Sequence, residues 1–259
     1  MKKIISSIIF FSLLLSSNLS AQDESESKIL RWSYLQGLEY RLKAGFNIGG
    51  TTPLPLPAEI REINSYDPTL QIAIEGDVVK WLDKKWGLLL GIRLENKGMK
   101  TDANVKNYGM KMIAADGGMM EGYWTGNVVT QVQNSYLTIP VCAVLKITPR
   151  WEIKAGAFAS YLIKGDFSGH VYDGYIRKGD PTGIKVVFED DAIATYDFSN
   201  DLRYFQCGPE IGAKWRAYKH LSLYADLTWG MVPIFKKDFK TITFDMFPVY
   251  ANIGFEYKF

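Results

Sequence analysis

The chain has 259 residues, 47% of them hydrophobic and 14% aromatic, which suits one large or two small globular domains and does not by itself mark a membrane protein. Its formal charge of +2 falls to neutrality if Lys2 and Lys3 leave with a leader, so there is no electrostatic case for a nucleic-acid partner. Two cysteines, Cys142 and Cys207, exclude a disulfide framework but leave room for a single bridge.

The N-terminus places Lys2 and Lys3 before "IISSIIFFSLLL", followed by a polar stretch and "LSAQ". This order reads as a secretory signal peptide over 1–21, cut after Ala21, with an apolar run shorter than the ~20 residues a spanning helix needs. No later stretch is that apolar, so an exported chain of this kind is secreted, periplasmic or a barrel in an outer membrane. Residues 22–40, charged and then aromatic in "WSYLQGLEY", read as a periplasmic N-terminal segment that is either a contact or a tail.

From residue 41 onward, apolar and polar residues alternate with period two, the pattern of strands that meet a different solvent on each face. Leu42, Ala44, Phe46 and Ile48 oppose Arg41, Lys43 and Asn47, and the closing "PVYANIGFEYKF" opposes Ile253, Phe255 and Tyr257 to Asn252, Glu256 and Lys258. The alternation predicts eight strands, at 41–50, 68–82, 86–98, 131–147, 151–164, 202–216, 220–234 and 242–259. Their links alternate strictly between short (83–85, 148–150, 217–219) and long (51–67, 99–130, 165–201, 235–241), as in outer-membrane barrels.

The predicted fold is therefore all-β: an eight-stranded antiparallel up-and-down transmembrane β-barrel over 41–259, with short periplasmic turns and long extracellular loops. Outer-membrane lipid is one solvent, and a polar interior rich in glycine is the other. Closure follows because an open edge would leave backbone groups unpaired in hydrocarbon. Trp86, Trp151, Trp215, Tyr257 and Phe259, next to the short turns or the terminus, form an expected aromatic girdle. The competing fold, a soluble sandwich or lipocalin-like barrel, also alternates but turns its oily face inward.

"RLKAGFNIGG", "LENKG", "NSYLTIPVCAVLKI" and "AGAFASYLIKG" carry a further signal, with a proline inside the strand "YLTIP". On these segments the chain resembles the PorT-like outer-membrane β-barrel family of Bacteroidetes, over roughly 40–259. The resemblance implies the fold and the outer membrane. It implies no activity.

Parity sends nine cations inward (Arg41, Lys43, Arg93, Lys97, Lys154, Lys164, Lys214, Arg216, Lys258) against seven carboxylates (Glu75, Asp77, Glu95, Glu152, Glu210, Asp226, Glu256). In so narrow a lumen they must pair, which predicts a salt-bridged plug and no pore. Cys142 and Cys207, on the fourth and sixth strands with opposite parity, are expected to be free.

Candidate chemistry is sparse. His220 falls at a short turn. His170, with Asp166, Asp173 and Asp180 nearby in sequence, is the one set that could support hydrolysis at the outer surface, and a solvated loop histidine is the simpler reading. "FEDDAIATYD" at 188–197 could offer carboxylates to Ca²⁺ but lacks ligand periodicity. No catalytic residue, cofactor or metal is assigned.

The loop 99–130 carries Met110, Met112, Met119, Met120, Tyr123 and Trp124, which either fold over the barrel mouth as a lid or meet a partner. Met119, Met120, Tyr123 and Trp124 are the candidate partner-binding residues. The proline-stiffened "TTPLPLPAEI" at 51–60 is either a strut for that lid or a docking strand. The leading function is a non-enzymatic outer-membrane barrel acting as a structural or interaction component, with other outer-membrane or periplasmic proteins as partners. A surface hydrolase or acyltransferase using His170 and a small pore are the alternatives.

Overall fold

A computed structural model gives the fold, and the residues it describes are 37–113, 117–188 and 192–259. The predicted signal peptide and residues 22–36 lie outside them. The strands are β1 (Leu38–Pro53), β2 (Ile60–Asp67), β3 (Gln71–Trp81), β4 (Trp86–Ile113), β5 (Met119–Lys146), β6 (Trp151–Lys164), β7 (Phe167–Lys178), β8 (Lys185–Phe188), β9 (Ala194–Asp197), β10 (Phe205–Arg216), β11 (Leu221–Trp229) and β12 (Met246–Lys258). They belong to one sheet in which β1, β3, β4, β5, β6, β10, β11 and β12 follow one another around a closed ring, β12 returning to β1. Among the described residues no helix is long and apolar enough to cross a membrane.

Among the described residues the sheet thus holds twelve strands where eight were predicted, and the predicted long loops are the reason. Residues 99–113 and 119–130 are strand and not loop: β4 and β5 run on as a pair of strands of 28 residues each, far past the expected boundaries of 98 and 131. Link 51–67 contains β2, which pairs with the upper part of β4, and link 165–201 contains β7, β8 and β9. β1 starts at Leu38, inside the segment expected to precede the barrel.

The short turns are written locally. In "DKK" the Asp83 carboxylate accepts the backbone N–H groups of Lys85 and Trp86, both at 2.6 Å, and the Trp86 bond above all holds this carboxyl below its usual range. In "TPR" the Thr148 hydroxyl oxygen accepts the N–H groups of Arg150 and Trp151 at 3.2 and 3.0 Å.

The two faces exchange solvents partway up. Between the short turns and about Asn96, the outward positions of β4 are Trp86, Leu88, Leu90, Ile92 and Leu94, all exposed, while Arg93 and Glu95 are buried. Above that level the outward positions become Lys100, Asp102 and Asn104, and the inward ones Met99 and Val105 are buried with Trp124, Val128 and Val132 of β5. Ser135 donates to Asn96 Oδ1 at 2.7 Å where the change occurs. The lower storey is oily outside and charged inside, and the upper storey is built the other way round, like a water-soluble barrel.

A bulge keeps the upper storey in phase. Between the pairs Val105↔Gly126 and Tyr108↔Trp124, β4 carries one residue more than β5, with Asn107 in the left-handed region at φ 54°. Inward residues are therefore odd-numbered below the bulge and even-numbered above it, which brings Tyr108, Met110 and Met112 into the core.

Candidate functional site

Two regions could carry function: the lower lumen and the outward face of the upper storey. The lumen is filled. Six buried cations, Arg41, Lys43, Arg93, Lys97, Lys154 and Lys214, face seven buried carboxylates, Glu75, Asp77, Glu95, Glu152, Glu210, Asp226 and Glu256, and each of these carboxylates has an ion pair.

The pairs stack in layers. Nearest the short turns, Arg41 meets Glu152 at 2.9 Å, and Lys214 joins Glu152 and Glu256 at 2.9 and 2.8 Å. In the middle, Lys43 binds Glu75 and Asp77, both at 2.8 Å, and Lys154 binds Glu210 at 2.6 Å and Asp226 at 2.8 Å. Arg93, with no exposed surface, links the sides of the lumen by bonding Glu75 and Glu210.

The top layer is mixed. Lys97 pairs with Glu95 at 2.9 Å and lies over the rings of Tyr136, Phe158 and Tyr250 at 5.6, 5.3 and 5.7 Å, a cation–π setting where the charged lumen meets the oily core.

Glycines make room for this network. A Cβ at Gly91 would overlap the Asp77 carboxylate, and one at Gly212 would overlap that of Asp226. Glu75, Glu210 and Asp226 bring carboxylate oxygens within 4.8 Å of one another, close enough to suggest a metal. Lys43, Arg93 and Lys154 already occupy that centre, so the donor set is an ion-pair knot and not an open cation cage.

Three of the nine predicted inward cations lie outside the buried network. Lys164 is exposed and Arg216 and Lys258 are half-buried, because each ends its strand at the edge of the ring. The reading by parity missed Glu39, which bonds Arg41, Lys258 and the Trp81 indole at 2.7, 2.5 and 3.1 Å. The signal was there in "EYRLK", one step down in phase with Arg41.

The four candidate partner-binding residues do not share a face. Trp124 has no exposed surface and packs edge-on against Phe188, and Met120 also points to the core, so neither forms an accessible anchor. Strand alternation is the cause: 120, 122 and 124 turn inward while 119, 121 and 123 turn outward. Met119 is 68% exposed and Tyr123 is half-buried.

Tyr123 instead finds neighbours that sequence spacing could not supply. It stands opposite Arg177 on β7, beside Thr125 and Tyr175, and Val187 of β8 lies opposite Tyr175. Lys185 Nζ and Arg177 lie over the Tyr175 ring at 4.3 and 5.6 Å, and a hydrogen bond with Thr125, then these two charges, holds its phenol below the ordinary value. The result is an outward aromatic and cationic face on three strands.

His170 lies in β7, not in a loop, opposite Val129 and Thr195. Asp166 is four residues away along the chain, ~13 Å if extended, and accepts from Ser168, while the Asp180 side chain holds the turn at Thr182. Among the described residues no aspartate hydrogen-bonds to His170. His220 sits at a short turn and bonds the Lys258 carbonyl through Nδ1 at 2.8 Å. Part of the acidic stretch 188–197 lies outside the described residues; within it, Asp197 accepts the Ser199 N–H at 2.8 Å. Both cysteines are free, Cys142 buried and Cys207 half-buried on the outward parity of β10.

Comparison with known proteins gives the same kind of molecule. The family described as Outer membrane protein beta-barrel domain matches residues 20–236. No curated protein matches the chain. Among solved structures, it is similar to the attachment invasion locus protein Ail of Yersinia pestis in complex with the heparin analogue sucrose octasulfate, at 9% identity and TM-score 0.36 over 86% of this chain and 97% of that one. It is also similar to the outer membrane protease OmpT of Escherichia coli, at 10% identity and TM-score 0.34 over the same shares.

Proposed function

As the chain belongs to the outer membrane protein β-barrel family and resides in the outer membrane, we propose that it is a sealed, eight-stranded, non-enzymatic barrel that displays a binding face above the membrane. The short turns face the periplasm and the upper storey faces out. The observation that carries the reading is the outward face of β5, β7 and β8, where Tyr123, Tyr175, Arg177 and Lys185 gather. Aromatic residues and arginine are the types that anchor protein contacts. The partner is another outer-membrane or extracellular protein, and the barrel is its anchor or accessory subunit.

The test is co-purification in mild detergent. Tyr123→Ala combined with Tyr175→Ala should release co-purifying protein while heat-modifiable gel migration, the sign of a folded barrel, stays unchanged. Retention of every partner by the folded double variant would sink the assignment of this face.

A further inference from the structure

The ring is complete in the lower storey, but the upper wall has a seam. β1 pairs with β12 up to Pro53, whereas β2, the chain facing it, pairs among the described residues with β4 alone. Across the gap the Tyr66 hydroxyl donates to the Gly49 carbonyl at 2.7 Å. Behind the seam lies a cavity of about 300 Å³ that reaches the oily core at Met99, Val105, Tyr108 and Phe244. Its size falls in the range of small-ligand pockets, ~300–1,000 Å³.

Three observations identify the occupant. Among the described residues no charged side chain lines the cavity; its polar side-chain groups are hydroxyls of threonine and tyrosine. Its mouth carries exposed apolar groups, Leu56 and Ile63, each 56% exposed. The seam also rises from the lipid-facing band, since Ile48 is two residues below Gly50 on β1, and the exposed Leu70 and Ile72 continue the chain below Tyr66. At Gly50 the missing side chain keeps the floor open: a Cβ there would lie 2.9 Å from Met99 Sδ and 3.6 Å from the Tyr66 ring.

We infer that this cavity takes up the hydrocarbon chain of an amphiphile, which enters sideways through the β1–β2 seam from the level of the outer leaflet. The uncharged lining excludes the head group, which stays at the rim among the threonines. Each further methylene buried removes apolar surface from water, so affinity rises with chain length until the cavity is full. The inference is independent of the partner-binding face, because Tyr123, Tyr175, Arg177 and Lys185 do not line the cavity.

Photolabelling of the full protein in nanodiscs tests it, with two probes: free palmitate bearing a diazirine near its methyl end, and a phosphatidylcholine bearing the same group on one chain. Label from either probe should concentrate on peptides covering 50–66 and 99–108. Palmitate labelling alone would identify a free fatty acid as the source, and labelling by the phospholipid would identify a bilayer chain.

Ala103→Trp, which fills the cavity, and Ile63→Arg, which charges its exposed mouth, should each cut that label by about tenfold, the loss when a bound hydrocarbon segment is displaced. Ile63 is at the surface, so its variant remains informative if Ala103→Trp fails to fold. Label spread evenly over the lipid-facing band, no label from either probe, or equal labelling of the folded Ile63→Arg variant would overturn the inference.

Discussion

Arg93 shows how a charge survives in the middle of this barrel. It is wholly buried, yet its guanidinium reaches carboxylates from β3 and β10, with Glu95 of its own strand at 3.8 Å, so the desolvation cost is met by several bonds at once. Removing one member of such a knot leaves the others uncompensated. Arg93→Ala should destabilise the folded barrel by about 3–5 kcal/mol, seen as a lower urea midpoint for heat-modifiable migration; an unchanged midpoint would mean that the pairs are not formed. Trp124 teaches a different lesson. Its stretch was expected either to close over the barrel mouth or to meet a partner, and Trp124 fills the centre of the upper core. Trp124→Ala should therefore cost about 3–5 kcal/mol through the cavity it leaves, measured by the same midpoint, and not act as a surface change.

At the scale of elements, the lower storey could be read directly from the sequence because its outward residues are large and apolar. The matching alternation in the upper storey went unread although it is present: Lys100, Asp102 and Asn104 oppose Met99, Thr101, Ala103 and Val105. A rule that asks for oil on the outward face stops where that face turns polar, and so 99–130 looked like a loop. The bulge at Asn107 hides the pattern further by shifting parity. The partners of Tyr123 were beyond reach for another reason, since strand register across β5 and β7 is set by tertiary pairing and no spacing within one segment encodes it. Orientation gives a direct check of the element assignment. Lys111→Cys, exposed near the end of β4, should react with a membrane-impermeant maleimide on intact cells, and Lys84→Cys in a short turn should react only after the envelope is opened. The reverse pattern would invert the barrel.

For the whole molecule, the plug and the membrane band together decide what the barrel cannot do. Layers of paired charge run from Arg41 to Lys97 and the oily upper core closes over them. A permeating ion would have to break pairs that have no water to replace them. Purified protein in planar bilayers should show no stable openings at physiological salt; frequent, steady conductance would overturn the sealed reading and favour a small pore.

The exchange of solvents halfway up the wall also bears on how errors are detected during assembly. β4 and β5 are single strands that serve both storeys, so their pairing is judged twice along its length. A slip of β4 by one residue would push Arg93 and Glu95 into lipid below and, in the same movement, turn Tyr108 and Met110 into water above. An ordinary membrane hairpin is proofread by one interface. Here a misaligned pair is rejected by two opposite environments at once, and the correct register is the one alignment that satisfies both.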